Sequence, residues 1–309
     1  MLQINCIWEH NGADSLLYAE NFIGAFTRGE SLEVAENKMY AEIKSYMNWV
    51  GKSESYSEDI GVSIVQEKAS DLEIKDADSE VLFDTEHNPL TMEEYTRLKA
   101  LVLKSAEDFY RLFQSIPDKN RSELPIRKTF YGQVPRTAEE MYQHTKNVNS
   151  YYFAEIDVEA DNEGTIVDCR KRGFELLEQK EDFLENHVIE GSYGELWSLR
   201  KMMRRFIWHD RIHAKAMWRM AKRSFPEREI ENVFYFLEEK DMYKYEYEKV
   251  SCTLDGWGPL GGNDYQIEEY RSKIDKRARC GWRYVGCIPT RQRGTGHTEE
   301  IDLIFEKEI

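Results

Sequence analysis

The feature that most constrains the fold of this chain is one helix-start pattern that occurs four times between residues 91 and 195. In each copy a hydroxyl side chain at the N-cap precedes an acid by three residues, so the hydroxyl accepts from a first-turn amide and the acid reaches back. The four copies are Thr91–Glu94, Thr137–Glu140, Thr165–Asp168 and Ser192–Glu195. Apolar residues then recur with helical period over about 92–115, 138–156, 166–187 and 193–223. We therefore predict a multidomain, mainly α protein with a central up-down four-helix bundle over residues 91–238, flanked by two small α+β modules.

Composition sets the broad class of protein and excludes some partners. The chain has 309 residues, enough for two or three domains, and a net charge of −16 at pH 7. This charge repels a phosphate backbone, so no nucleic-acid partner is expected. The N-terminus lacks a basic region followed by an apolar one, no apolar run of about 18 residues occurs, and the five cysteines form no Cys-x-x-Cys pair. We expect no membrane partner and a cytoplasmic location.

The first segment, residues 1–68, alternates strand-like runs with turns. Strands are predicted at about 3–9, 16–20, 24–28 and 61–67, with a helix at about 32–50. The stretch Gly24–Asn37, GAFTRGESLEVAEN, resembles the strand-turn-helix core of HicB-like antitoxin domains. The resemblance implies a small α+β module that binds a protein partner.

An acidic linker follows at residues 69–90. It carries seven acids between Asp71 and Glu86 around one apolar island, Val81–Phe83. Charged segments of this kind rarely pack, so a solvated connector is favoured over an island docked on a neighbouring domain.

The last segment, residues 243–309, is predicted to form a small α+β domain. Strand-like runs occur at about 243–250, 282–288 and 301–307, with a helix at about 266–278 and a turn at 293–297. The segment resembles a small domain family of unknown function that carries a Gly-Trp pair, here Gly281–Trp282, and a closing hairpin.

The pattern with chemical potential lies in the fourth predicted helix. Steps of three and four residues along it give a seam of core positions: Leu199, Met202, Phe206, His209, His213, Ala216 and Met220. The same steps in the second predicted helix give Met141, His144, Val148 and Tyr151, so His144 is also expected to face inward. Three imidazoles between helices can hold a divalent metal with one position open. The alternative is a set of core histidines bonded to backbone carbonyls or to a tyrosine, which is the more frequent case for a His-x-x-x-His pair alone.

Two stretches around these histidines, Thr137–Val148 and Phe206–Lys215, resemble the DinB-like four-helix family over about residues 90–225. In that family one histidine of the second helix and two of the fourth, four apart, bind a divalent ion such as zinc or nickel. The resemblance therefore implies His144, His209 and His213 as metal ligands. It also implies an enzyme that transfers or isomerises a group on a small electrophile with a low-molecular-weight thiol, and a metal-activated hydrolase is the nearby variant.

The fourth predicted helix is also rich in basic residues. The pattern favours a face paired with acids of neighbouring helices or of the linker. Arg205 and Arg211 flank the histidine seam, so they are the candidates for holding a carboxylate or phosphate of a ligand in the bundle cavity. Tyr151 is a candidate for orienting a ligand beside His144, and a purely core role is its alternative.

Two functions stay open from the sequence. The first is a metal-dependent thiol transferase or isomerase that acts on a small-molecule ligand between the helices. The second is a non-enzymatic binding or regulatory protein, in which the HicB-like module captures a protein partner and the metal is structural.

Overall fold

The computed structural model describes residues 2–52, 60–129, 132–237, 243–255, 264–267, 269–293 and 298–308. The chain forms two compact units, Met1–Phe236 and Leu237–Ile309. The segments predicted as an N-terminal module, a linker and a helical bundle all fall within the first unit. Among the residues that the structure describes, no helix combines the length and the apolar composition that a membrane crossing requires.

A four-stranded sheet forms the N-terminal part of the first unit. Its elements are β1 (Leu2–Asn11), β2 (Asp14–Ala19), β3 (Phe26–Gly29), α1 (Leu32–Trp49) and β4 (Ile60–Ala69). The strand order is β3-β2-β1-β4, in which β1 pairs antiparallel with β2 and parallel with β4. A parallel pair needs a crossover connection, and α1 lies in it. The Ser31 hydroxyl begins α1 by accepting from the amide of Val34. These elements match the strands and the helix expected for this segment.

Four helices follow the sheet in the first unit. They are α2 (Met92–Ser115), α3 (Ala138–Ala154), α4 (Ile166–Leu177) and α5 (Leu199–Ser224), with two-stranded ribbons β5 (Lys128–Thr129) and β6 (Gly132–Gln133), and β7 (Ile189–Glu190) and β8 (Leu196–Trp197). The capping boxes predicted at Thr91, Thr137 and Thr165 are present and begin α2, α3 and α4. Local chemistry therefore fixes three of the four helix starts.

The fourth predicted helix start is wrong. Residues Ser192–Gly194 form a single 3-10 turn, and α5 begins seven positions after Ser192, at Leu199. The cap is Ser198, whose hydroxyl accepts from the amide of Lys201. Because the third residue of this helix is a lysine instead of an acid, no capping box marked the start in the sequence.

The predicted fold class, mainly α with a central up-down four-helix bundle between two small modules, is also wrong. The protein is mixed α/β, since four sheets accompany the helices in the described part of the chain. Helices α2 to α5 pack against one another, but their hydrophobic core is continuous with that of the sheet and α1. It joins Ile4 and Met39 to Phe206 and Met217. Periodicity shows which face of an element is apolar, but it does not show which neighbour covers that face.

The linker is packed, in contrast to the solvated connector favoured from its charge. Residues 79–86, which we call the strap, carry the apolar island, and Val81 and Phe83 are only 2% and 1% exposed. Both belong to a second hydrophobic cluster with Tyr18 of β2 and Trp208 of α5. The apolar island therefore docks between the sheet and the longest helix.

Buried polar groups hold the strap in place as well. The Glu9 carboxylate accepts from the Ser79 hydroxyl and from the backbone amides of Glu80 and Val81. Arg204 forms an ion pair with Glu86 and donates to the Val81 carbonyl at 2.9 Å. Burial raises the pKa of Glu9 above its ordinary value. One acid of this segment, Glu86, is thus buried in an ion pair, which a charge count cannot show.

The second unit is an antiparallel sheet with one helix. Its elements are β9 (Tyr243–Asp255), β10 (Asp264–Ile267), α6 (Tyr270–Arg279), β11 (Arg283–Gln292) and β12 (Thr298–Glu308), with strand order β10-β9-β12-β11. Val250, Leu303 and Phe305 form a small core with Ile274 of α6. The predicted helix start at about 266 is wrong, because that position belongs to β10. The turn predicted at 293–297 lies, from residue 294 onward, outside the described residues.

Candidate metal centre

Three histidine side chains meet at the contact between α3 and α5. His144 of α3 and His209 and His213 of α5 each offer a nitrogen, and these three atoms lie within 4.8 Å of one another. The ring centroids are 5.1 Å apart for His144 and His209, 4.7 Å for His144 and His213, and 4.4 Å for His209 and His213. Three imidazoles at these distances can point ligand atoms at a common centre.

Helix geometry explains why the two histidines of α5 stand together. Residues four apart lie on the same face of a helix, one turn above the other. Most of the seam expected around them is buried: Met202 and Phe206 are fully inaccessible and His209 is 8% exposed, whereas His213 and Ala216 are half-buried. The position of this pair in the seam agrees with the sequence pattern.

His144 reaches the cluster from a different environment than expected. Its side chain is solvent-exposed, whereas the neighbouring Thr145 and Tyr152 of α3 are buried. The buried stripe of α3 is therefore shifted by one residue from the predicted stripe, which contained His144 and Tyr151. His144 and Tyr151 lie at the rim of the α3–α5 contact, so the cluster is open to solvent on one side.

All three imidazoles are held neutral by their surroundings. Burial, and then the neighbouring His213 and His144, lower the pKa of His209 well below its ordinary value. Burial, followed by His144, lowers the pKa of His213 to about 3, and partial desolvation by the surrounding protein lowers the pKa of His144 at the rim. The neutral imidazole is the form that binds a metal ion, so at neutral pH no proton competes for these nitrogens.

The state of one buried nitrogen in the cluster indicates whether these residues fit a metal ion. His209 Nδ1 is buried and has no hydrogen-bond partner among the described residues. A buried polar atom without a partner costs about 1 to 3 kcal/mol, and a metal ion near the cluster centre would remove that cost. Within the described part of the chain the group contains three histidines and no carboxylate or thiolate. Three neutral nitrogen donors suit zinc or nickel, and the missing fourth protein ligand distinguishes the cluster from a closed structural site.

The other candidate residues take different places. Arg211 pairs with the buried Glu42 of α1 and lies over the Tyr46 and Trp49 rings, so it is committed to the fold. Arg205 is buried and forms no ion pair with a described residue. Tyr151 is 36% exposed and packs edge-on against Trp197, with ring centroids 6.1 Å apart.

A tyrosine that the sequence did not single out lies closer to the cluster. The ring centroid of Tyr152 is 6.0 Å from that of His209, and its ring also packs against Phe206. Tyr152 is 3% exposed. The only sequence signal for it was its place next to Tyr151, and choosing between the two requires the rotation of α3 about its axis, which the sequence does not define.

Fold and cluster together define a mixed α/β protein with a candidate three-histidine site. Residues 245–308, about a fifth of the chain, match the family model described as a domain of unknown function, DUF4177. This match is compatible with the small C-terminal domain family inferred from the Gly281–Trp282 pair. No curated protein and no solved structure matches the chain. The DinB-like and HicB-like resemblances receive no support from these comparisons and stay predictions.

Proposed function

We propose that this protein binds one zinc or nickel ion through His144, His209 and His213 and acts as a metal-dependent enzyme on a small electrophile. The observation that carries the proposal is the convergence of three neutral imidazoles, one from α3 and two from α5, at the rim of a helix contact. The resemblance of the two histidine stretches to the DinB-like family supports a transferase or isomerase that uses a low-molecular-weight thiol.

The chemistry of such a site follows from its ligand set. When bound, a divalent ion with three imidazole ligands and an open position lowers the pKa of a water or thiol and polarises a carbonyl. The chain itself supplies the surroundings: His209 with Tyr152 and Phe206 forms the dry side, and the exposed His144 forms the side through which a small molecule enters. A site with one dry and one open side suits a small substrate between the helices.

We place this activity in the cytoplasm. All five cysteines are free, and three of them are buried. Disulfides form in oxidising compartments, so free buried thiols support a reducing one.

The metal content of the full chain tests the proposal. After incubation with zinc or nickel and removal of excess ion, we expect about one bound ion per chain in the wild type. His209→Ala and His213→Ala should each reduce the content at least tenfold. His187→Ala is the matched control, because its side chain is 66% exposed and pairs with Asp182 away from the cluster. Equal metal content in the wild type and both cluster variants would refute the site.

Turnover separates the enzyme from the alternative of a binding or regulatory protein with a structural metal. An enzyme should convert electrophiles from a panel only when both a thiol and the metal are present, and a chelator should abolish the reaction. A stably bound metal with no turnover across the panel, together with co-purification of a small protein bound to the N-terminal sheet, would favour the alternative.

A further inference from the structure

One buried guanidinium differs from the others in the first unit. Arg170 pairs with Asp210, Arg204 with Glu86 and Arg211 with Glu42, and all of these side chains are at most 6% exposed. Arg205 is 8% exposed, yet within the described residues no carboxylate oxygen lies within ion-pair distance of it. A buried charge without a counter-charge is costly, so a position of this kind calls for an explanation.

Aromatic rings surround this guanidinium. Its central carbon lies 4.6 Å from the ring centre of Trp208, 5.6 Å from that of Trp197 and 5.9 Å from that of Tyr152. One of its terminal nitrogens donates to the Ser79 carbonyl of the strap at 3.1 Å. Ring faces, this carbonyl and a hydrogen bond to the Tyr152 hydroxyl stabilise the cation in part, but they leave Nε of the guanidinium without a partner.

The surroundings contain donors and few free acceptors. Arg205 Nε and the indole nitrogens of Trp197 and Trp208 are all buried and have no hydrogen-bond partner in the described structure. The charges of two carboxylates, Glu195 and Glu9, act on Arg205, and both have other contacts. Glu195 forms an ion pair with Lys201, although its buried Oε1 accepts no hydrogen bond, and Glu9 accepts from the strap. Three unpartnered N–H groups around one cation match the needs of an oxyanion.

This donor group lies next to the histidine cluster. Arg205 is one helical turn before His209 on α5, and both residues pack against Tyr152 and Trp208. The charge of Arg205 also contributes to the lowered pKa of His209. An anion held by Arg205 would therefore lie within about one helical turn of the cluster.

We propose that Arg205, with the indole N–H groups of Trp197 and Trp208, binds the carboxylate of a small molecule. This proposal names the substrate class of the proposed enzyme. It rests on the proposed function only in placing the electrophilic carbon of that molecule opposite His144, His209 and His213. The anion site itself requires no metal. The substrate is thus an electrophile of a few carbon atoms that bears a carboxylate.

The test uses the full chain stripped of metal with a chelator, at low salt. Fluorine NMR follows the binding of trifluoroacetate, and trifluoroacetamide serves as the neutral comparison of similar shape. We expect saturable binding of trifluoroacetate alone. Arg205→Met should weaken it at least tenfold, since the charge is lost.

Two milder variants keep the test decisive if Arg205→Met does not fold. Trp197→Phe and Trp208→Phe retain an aromatic ring and remove one donor each, and each should weaken binding about three- to tenfold. Trp218→Phe is the matched control, because Trp218 is a buried tryptophan of α5 that packs against Phe236, and this variant should bind like the wild type.

The outcomes separate the two proposals. Binding of trifluoroacetate to His209→Ala at wild-type strength, with loss of binding in the Arg205 and tryptophan variants, supports the anion site whether or not the metal site exists. No saturable binding to the wild type, equal binding of the neutral amide, or unchanged binding in Trp197→Phe and Trp208→Phe would overturn it. In those cases the donors are satisfied by solvent.

Discussion

The two polar regions buried along α5 differ in whether a carboxylate pairs with their nitrogen groups. In one region Arg170, Arg204 and Arg211 each meet a carboxylate of another element, and these pairs join α4, the strap and α1 to α5. In the other region Arg205 has no ion pair with a described residue, and the His209 imidazole is held neutral. Each of the four arginines, like His209, also has one buried nitrogen without a hydrogen-bond partner in the described structure, so the counter-charge is what differs. The first region contributes to the fold, and we interpret the second as a place for a ligand.

The largest expected effect is on the free energy of unfolding, and it distinguishes Arg204 from its neighbour Arg205. Arg204→Met leaves the buried Glu86 carboxylate without its counter-charge, so we expect a loss of about 3 to 5 kcal/mol in the free energy of unfolding. Arg205→Met removes a cation that has no ion pair, so its free energy of unfolding should change by less than about 1 kcal/mol or rise. Urea unfolding of the metal-free full chain measures both values. Equal losses of unfolding free energy in the two variants would show that the ion pair of Arg204 does not make it more important for stability than Arg205.

A smaller effect concerns pH and the neutral histidines. An unfolded histidine has a pKa of about 6.5, whereas burial lowers the pKa of His213 to about 3 in the folded protein. Between these values the unfolded chain binds a proton that the folded chain does not, so stability falls as the pH falls through this window.

His213→Gln should therefore reduce the slope of unfolding free energy against pH by about 1.4 kcal/mol per pH unit below pH of about 6. The measurement is urea unfolding of the metal-free chain at several pH values between about 7 and 5. His187→Gln, at an exposed position, is the control and should keep the wild-type slope. An unchanged slope in His213→Gln would mean that the imidazole is not buried in its neutral form.

The smallest effect compares two hydroxyls at predicted helix starts. The Thr137 side chain accepts from the amide of Glu140 and begins α3, whereas the Ser192 side chain caps no helix. Thr137→Ala should cost about 1 kcal/mol of unfolding free energy, and Ser192→Ala should stay within about 0.5 kcal/mol of the wild type. Thermal melting compares the two, and a larger loss in Ser192→Ala would restore the helix start that the sequence pattern predicted.

Local chemistry made several parts of this structure predictable. The bounds predicted for α2 agree with the structure, because Thr91 and Glu94 form a capping box and Pro117 follows the helix end. The histidines His209 and His213 could be placed together from their four-residue spacing alone. In each case the deciding interaction lies within one or two turns of chain.

The parts that escaped prediction depend on contacts between distant segments. The strap was expected to be solvated because its acids are visible in the sequence. The sequence does not show that Arg204 pairs with Glu86 of the strap, or that the Glu80 amide of the strap donates to the distant Glu9. The choice between Tyr151 and Tyr152, and the exposure of His144, depend on how α3 is rotated against α5. The fold class failed for the same reason, since the sheet and α1 share one core with the other helices.

The central claim is that His144, His209 and His213, with the unpartnered Nδ1 of His209, mark a metal site. Anomalous X-ray diffraction at the zinc edge, on crystals of the full chain grown with zinc, tests it most directly. We predict one anomalous peak within about 2.0 to 2.1 Å of a nitrogen from each of His144, His209 and His213. A structure with no peak there, in which the three imidazoles instead bond to water or backbone carbonyls, would contradict it.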